Sequence, residues 1–244
     1  MRTLLFITTT TLIACAAEPP SEGQATQAST INNKISTNKI STNKISTNKL
    51  AVNIEAAGDL LATPDGQEVF SFLVSCALPA DITLEATLPD GTVLDFPGDI
   101  GLAPAWIHRP LDKDDKGWVS ACMFARVNNH DVSIPISLRG PSSALKADAD
   151  ERANWPLEEG AYYGMLFTPD DQPINWIACR GRDLATQGQT GGLLDRDCAV
   201  PDPAHPGLTM CGFKFAGDCA DFVIPPRNDF ACEKFDNHKT FYED

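Results

Sequence analysis

Eight cysteines, Cys15, Cys76, Cys122, Cys179, Cys198, Cys211, Cys219 and Cys232, are the residues of this 244-residue chain with the widest chemical reach. A cysteine thiolate can attack a carbonyl, hold a metal, carry a thioether or pair with a second cysteine. Zinc wants pairs two to four residues apart, and no two cysteines here are that close. The four histidines, His108, His130, His205 and His238, are scattered without ligand spacing. There is no Gly-x-Ser-x-Gly elbow, His-Glu-x-x-His pair, phosphate loop or dinucleotide fingerprint, so the pattern singles out no catalytic residue, metal ligand or cofactor. Asp112-Lys113-Asp114-Asp115-Lys116-Gly117 clusters carboxylates before a glycine, as a hard cation would need. It lacks the closing glutamate of a calcium loop and holds two lysines, and reads better as an acidic run leading into a helix. Trp106, Trp118, Trp155, Trp176, Tyr162 and Tyr163 could line a glycan or peptide groove if exposed, but in a mixed domain such rings are more often core.

Which chemistry the cysteines take depends on the compartment, and the first twenty residues address that. Arg2 is a positive start, Leu4 to Ile13 is an apolar stretch, and Ala14, Ala16 and Ala17 supply small residues at a cleavage distance. The stretch is too short to span a bilayer, which takes roughly 20 apolar residues. Leu12-Ile13-Ala14-Cys15 resembles the lipobox of bacterial lipoproteins, in which the cysteine becomes the lipid-modified N-terminus. That resemblance implies lipid attachment at Cys15, with Ala16 favouring delivery to an outer membrane. An ordinary secreted or periplasmic protein is the alternative.

Outside the cytoplasm thiols oxidise, so the seven cysteines after Cys15 are expected mostly as disulfides. The elements that position them follow from pattern. Thr63-Pro64-Asp65 is a helix start, and Phe70, Leu73, Val74 and Ala77 form one stripe before Pro79. Residues 82–88 and 92–96 alternate around Pro89-Asp90-Gly91 as a hairpin. Trp118, Ala121, Cys122 and Ala125 share a face of a second helix entered from Asp112 to Asp115. Val132, Ile134, Ile136 and Leu138 alternate as a half-buried strand that Pro135 places near an edge or bulge. Residues 142–157 read as a connection, Gly160 to Phe167 as a strand, and Trp176 to Cys179 as a short one. From Gly181 onward, cross-linked loops are expected. The fold class is therefore α+β, two helices packed on a small antiparallel sheet with a loop-rich, disulfide-tied C-terminal part; an all-β sandwich is the alternative. Cys76 lies beside the first helical stripe and Cys122 within the second, and two packed helices can bring them into bridging range, so a Cys76–Cys122 bridge is expected. The other five would form two bridges and leave one thiol.

Residues 33–52 hold a repeat: Asn33-Lys34-Ile35-Ser36-Thr37 recurs at 38–42 and 43–47 and degrades into Asn48-Lys49-Leu50-Ala51-Val52. In a helix five residues advance each isoleucine by about 140° beyond a turn, and in a strand they alternate faces. The phase is similar to the pentapeptide-repeat β-helix family, with Asn where a small residue usually points inward. Repeat folds need several stacked units, and this run supplies about one coil. The organisation expected is a signal peptide (1–14), a flexible linker after the lipid (15–32), a solvated repeat spacer (33–52) and a single globular domain (53–244). A strand paired to the domain, or a true coil, is the alternative for the repeat.

The formal charge of -14 is uneven: Arg2 and four lysines against Glu18 and Glu22 give +3 in the first fifty residues, leaving -17 for the rest. Such a domain repels phosphate backbones, which argues against nucleic acid as a partner. Ser71-Phe72-Leu73-Val74-Ser75-Cys76-Ala77-Leu78-Pro79, with Gly98 to Pro104, Trp118 to Cys122 and Ile136 to Gly140, is similar to a group of secreted cysteine-containing proteins of soil bacteria. The resemblance implies one compact domain and no particular reaction. The function expected is an exported, lipid-anchored envelope protein serving as a binding or structural surface module, touching the membrane through its lipid and a protein or glycan of the envelope. An extracellular hydrolase of envelope or environmental polymers and a secreted effector are the alternatives. Since the lipobox is the motif that would place this chain at a membrane, Cys15→Ser is expected to leave it unprocessed or soluble. Normal cleavage and unchanged detergent partitioning of that variant would contradict the lipid.

Overall fold

The repeat is not a spacer. In the computed structural model, which describes residues 30–32, 35–88, 90–128, 133, 135–182, 198–221 and 240–243, Thr30–Asn32 forms strand β1. The repeat copies then fold as helices α1 (Thr37–Thr42) and α2 (Lys44–Val52). The Ser36 hydroxyl caps α1 by accepting from Lys39 N, and Asn43 turns the chain between the helices while its Nδ2 donates to Lys39 O at 2.9 Å. Ile35, Ile40 and Leu50 are fully buried in the main core, whereas Ile45 is 53 % exposed. The boundaries are corrected accordingly: the linker already pairs in the sheet at Thr30, and the domain reaches well upstream of residue 53. The physical reason is that no single helix can put every isoleucine of a five-residue period on one face. The chain breaks at Asn43, and α2 buries Lys44, Thr47, Leu50 and Ala51 instead, at i, i+3, i+6 and i+7.

The copies are tied down by their polar residues as well. Lys39 pairs with Asp65 and Glu68, and the hydrogen bond it donates to Glu68 raises its pKa. Lys49 reaches Asp59 at 2.8 Å. Trp106 Nε1 donates to Leu50 O at 3.0 Å and Leu111 N to Ala51 O at 2.8 Å, so α2 is stitched to the segment that precedes the second long helix.

After a 3-10 turn (Ile54–Ala57) and α3 (Gly58–Leu61), helix α4 spans Pro64–Ala77, with Thr63 accepting from Gly66 N at its start. Phe70, Leu73, Val74 and Ala77 are buried as their spacing requires. The last carbonyls of α4, on Ser75, Cys76 and Ala77, accept from Ile100, Leu102 and Ala103, so the chain returning from the hairpin satisfies the helix end. That hairpin is β2 (Thr83–Thr87) and β3 (Val93–Pro97), antiparallel, with Phe96 packed edge-on against Phe70 at 4.6 Å. Helix α5 (Lys113–Ala125) opens on a capping box made by Asp112 and Asp115 and buries nearly all of its last two turns.

The remaining elements are β4 (Pro135–Arg139), α6 (Ala149–Asn154), β5 (Glu158–Met165), β6 (Asn175–Arg180), β7 (Lys214–Asp218) and β8 (Thr240–Glu243). With β1 they make a six-stranded sheet in the order β1-β4-β8-β5-β6-β7, antiparallel except for the β6–β7 pair. The class is α+β, not a β sandwich: α5 lies across β5, and α4 packs on α5. Three further readings are refined. Val132 and Ile134 lie outside the described residues, while Ile136 and Leu138 enter the core. Ser137 and Arg139 do not face water but are buried with Glu151 of α6, whose carboxylate accepts from Ser137 Oγ at 2.6 Å. Residues 142–157 thus hold a helix rather than a bare connection, and the segment after Gly181 contributes two strands.

Cys76 of α4 and Cys122 of α5 are bridged, with Cα atoms 6.0 Å apart. Cys179–Cys219 ties β6 to the end of β7, and Cys198–Cys211 closes a loop that sets Phe213 among Phe124, Tyr162 and Trp176 at ring distances of 5.4–5.9 Å. The burial contrast within the repeat is testable. Ile40→Ala should cost about 3 kcal/mol in chemical denaturation, and Ile45→Ala about 0.5 kcal/mol or less. Equal, small losses at both positions would restore the solvated spacer.

Candidate functional site

The strands β5 and β6 are joined by Leu166 to Ile174, and this connection builds a concavity. Prolines at 169 and 173 keep the loop out of regular structure, and its own bonds set its shape. Gln172 N donates to Pro169 O at 2.9 Å, and Thr168 Oγ1 donates to the carbonyls of Gln172 and Pro173 at 3.3 and 3.2 Å. From one side α5 holds it, since the buried Ser120 hydroxyl accepts from Leu166 N at 2.9 Å and donates to Lys116 O. From the other side the repeat holds it. Lys44 Nζ donates to Pro169 O at 2.6 Å and Asn48 Nδ2 donates to Thr168 O.

Between this loop and the first residue of α5 lies a cleft of about 590 Å³, floored by the half-buried Met165 and Phe167 and edged by the exposed Lys113, Gln172, Pro173 and Asn175. Gly164 makes the close approach of the two strands possible: its φ is +130°, and a Cβ there would sit 1.8 Å from Asn175 O. A smaller groove of about 370 Å³ runs between β2 and α3, with Glu85 on its rim and Leu61, Phe70 and Leu84 inside. The cleft beside Lys113 was not visible in the sequence. Its one local signal was Thr168-Pro169-Asp170-Asp171-Gln172-Pro173, a turn-rich run between two strand-like segments.

The residues singled out from sequence do not converge there. Cys15, Cys232, His130 and His238 lie outside the described residues. Six cysteines are committed to the three bridges. The Tyr163 hydroxyl is 2.7 Å from Cys179 Sγ, and burial raises the phenol's pKa. His108 is exposed, and His205 meets Asp202 at 2.7 Å within one exposed turn, where the imidazole holds the Asp202 carboxyl below its usual range. The acidic run at 112–117 is spent on the helix start. Asp112 accepts from Asp114 N and Asp115 N, which lower its pKa together with Arg109, and Arg109 pairs with Asp112 at 3.1 Å and Asp115 at 2.8 Å. Among the described residues no group of three His, Cys, Asp or Glu could hold a metal ion. Trp106, Tyr162 and Tyr163 are buried and Trp118, Trp155 and Trp176 half-buried, so these rings do not form an open aromatic groove.

A second buried polar knot lies away from the cleft. Arg126 donates to Ser75 Oγ at 2.9 Å and lies 4.5 Å over the Phe72 ring, next to the Cys76–Cys122 bridge. Burial raises the pKa of the nearby Asp99 against the pull of that guanidinium. The arrangement serves packing: it brings a cation into the α4–α5 seam with a hydroxyl and a ring for company.

Compared with family models, curated proteins and solved structures, the chain matches none of them. The coupling of repeat to cleft can be measured directly. Lys44→Met keeps the buried aliphatic stem and removes the charged donor to Pro169 O, so it should cost about 1.5–3 kcal/mol and speed amide hydrogen exchange across residues 166–174. Unchanged exchange there would show that the loop stands without the repeat.

Proposed function

We propose that this chain is an exported envelope protein, held at a membrane by a lipid on Cys15, whose disulfide-tied domain is a binding module with the cleft beside Lys113 as its ligand site. The observation that carries the reading is the cleft: an apolar floor, a few polar groups at the rim and a volume of about 590 Å³, within the range of small-molecule sites. Its loop is held by hydrogen bonds from α5 and α2, which keeps the site shaped before any ligand arrives.

Export is supported by Leu12-Ile13-Ala14-Cys15 and by three bridges, which belong to an oxidising environment outside the cytoplasm. Among the described residues no helix is long and apolar enough to cross a membrane. Because β1 begins at Thr30, a lipid on Cys15 would hold the domain within about 50 Å of the bilayer, the reach of the intervening residues fully extended. The site would then sample molecules of the envelope or of the adjoining medium.

The test compares the native chain with Gln172→Trp, a change at an exposed residue that fills the cleft mouth. Both are incubated with an envelope extract, dialysed, and examined for small molecules that stay with the protein. A compound retained by the native chain and lost from the variant is the expected result. Identical retention by both would move the function away from this cleft.

A further inference from the structure

Resting on the reading of the cleft as a ligand site, we infer the class of its occupant: a free amphiphilic anion, an apolar body of aromatic or aliphatic carbon bearing one carboxylate, sulfonate or phosphate group. Two observations lead there. The chain carries 33 Asp and Glu residues against 19 Lys and Arg, yet the described residues that line the cleft include a lysine and no carboxylate. That lysine, Lys113, has no ion-pair or hydrogen-bond partner among the described residues, whereas Lys39, Lys44 and Lys49 of the folded repeat are engaged. An unpaired cation at the rim of an apolar floor complements a ligand whose charge stays at the mouth while its carbon body is withdrawn from water.

The floor sets the other half of the class. Met165 and Phe167 offer a polarizable thioether and a ring face, which accept flat or flexible carbon without demanding hydrogen bonds. Gln172 and Asn175 at the edge add amide donors that suit an anion's oxygens. A highly hydroxylated sugar would leave its polar groups unmatched against Met165, Phe167 and Pro173, and a cation would meet Lys113 at the mouth.

Two dyes test this on the purified soluble form of the Cys15→Ser chain. Anilinonaphthalene sulfonate combines an apolar body with one anion, and phenylnaphthylamine is its neutral counterpart. The sulfonate should bind at one site, weaken about fivefold in Lys113→Ala, and weaken further in Lys113→Glu, while the neutral dye should not respond to either change. Gln172→Trp should remove both dyes. Thermal melting of each variant confirms that it is folded, and Lys113 is exposed at the first position of α5, where Glu is well tolerated. Sulfonate affinity that ignores both Lys113 variants, with both dyes still displaced by Gln172→Trp, would overturn the anionic class and leave the cleft as a site. Dye binding that ignores Gln172→Trp, or no binding of either dye to the native chain, would overturn the class together with the site beneath it.

Discussion

The rest of the helical side is carried onto the sheet mainly through one seam, the contact of α4 with α5. The repeat helix α1, the short α3 and strand β3 all pack on α4, and α5 in turn lies on β5. The Cys76–Cys122 bridge crosses that seam. Closing a loop of 46 residues is worth about 4 kcal/mol in the chain-entropy account, because it removes open conformations from the unfolded chain. The segment after β3 reinforces the same place by donating to the last carbonyls of α4, and Arg126 donates to Ser75 there. A domain of this size with a helical layer two elements deep depends on such a seam, since the hairpin and the repeat have little sheet surface of their own to bury against.

The repeat illustrates how a period that suits no single element can still be folded. Its lysines advance around the helix with the isoleucines, so consecutive copies aim their charges in different directions. Lys39 goes to the first turns of α4, Lys44 to the β5–β6 loop and Lys49 to α3. Each of these pairs adds little where it is exposed. Their distribution nonetheless places positive charge from the N-terminal part of the chain on three parts of an acidic domain, which lowers the self-repulsion of the compact state. The same geometry couples the repeat to the cleft, because Lys44 and Asn48 hold the loop that forms one of its walls.

On the sheet, the two faces are built by different means. Toward α5 the strands present Ile136, Leu138, Tyr162 and Ala178, joined by Phe213 from the loop closed by Cys198–Cys211. On the other face Ser137, Arg139 and Glu151 form a buried hydrogen-bonded group, and burial lowers the Arg139 pKa despite the nearby carboxylate. Tyr163 there rests on the Cys179–Cys219 bridge. The cleft sits at the end of β5 and β6, where the sheet stops and its connection is free to shape a concavity.

Local chemistry was legible in the sequence wherever neighbours along the chain decide the outcome. Thr63 and Pro64 start α4, Asp112 and Asp115 start α5, the stripe of Phe70, Leu73, Val74 and Ala77 faces the core, and strands flank Asp90-Gly91, because caps, helical spacing and turn residues act over a few positions. The places of Cys76 and Cys122 on two helices followed from the same local rules, and their pairing from the further premise that those helices pack together. What tertiary structure alone decided are matters of partners distant in sequence. The repeat is helix rather than spacer because α4 and Trp106 supply the surfaces that Ile40 and Leu50 need. Ser137 and Arg139 are buried because Glu151 comes to meet them. The cleft exists because Ser120, Lys44 and Asn48, from elements 46 to 125 residues away, hold one loop in place, and no window along the chain contains all of those residues.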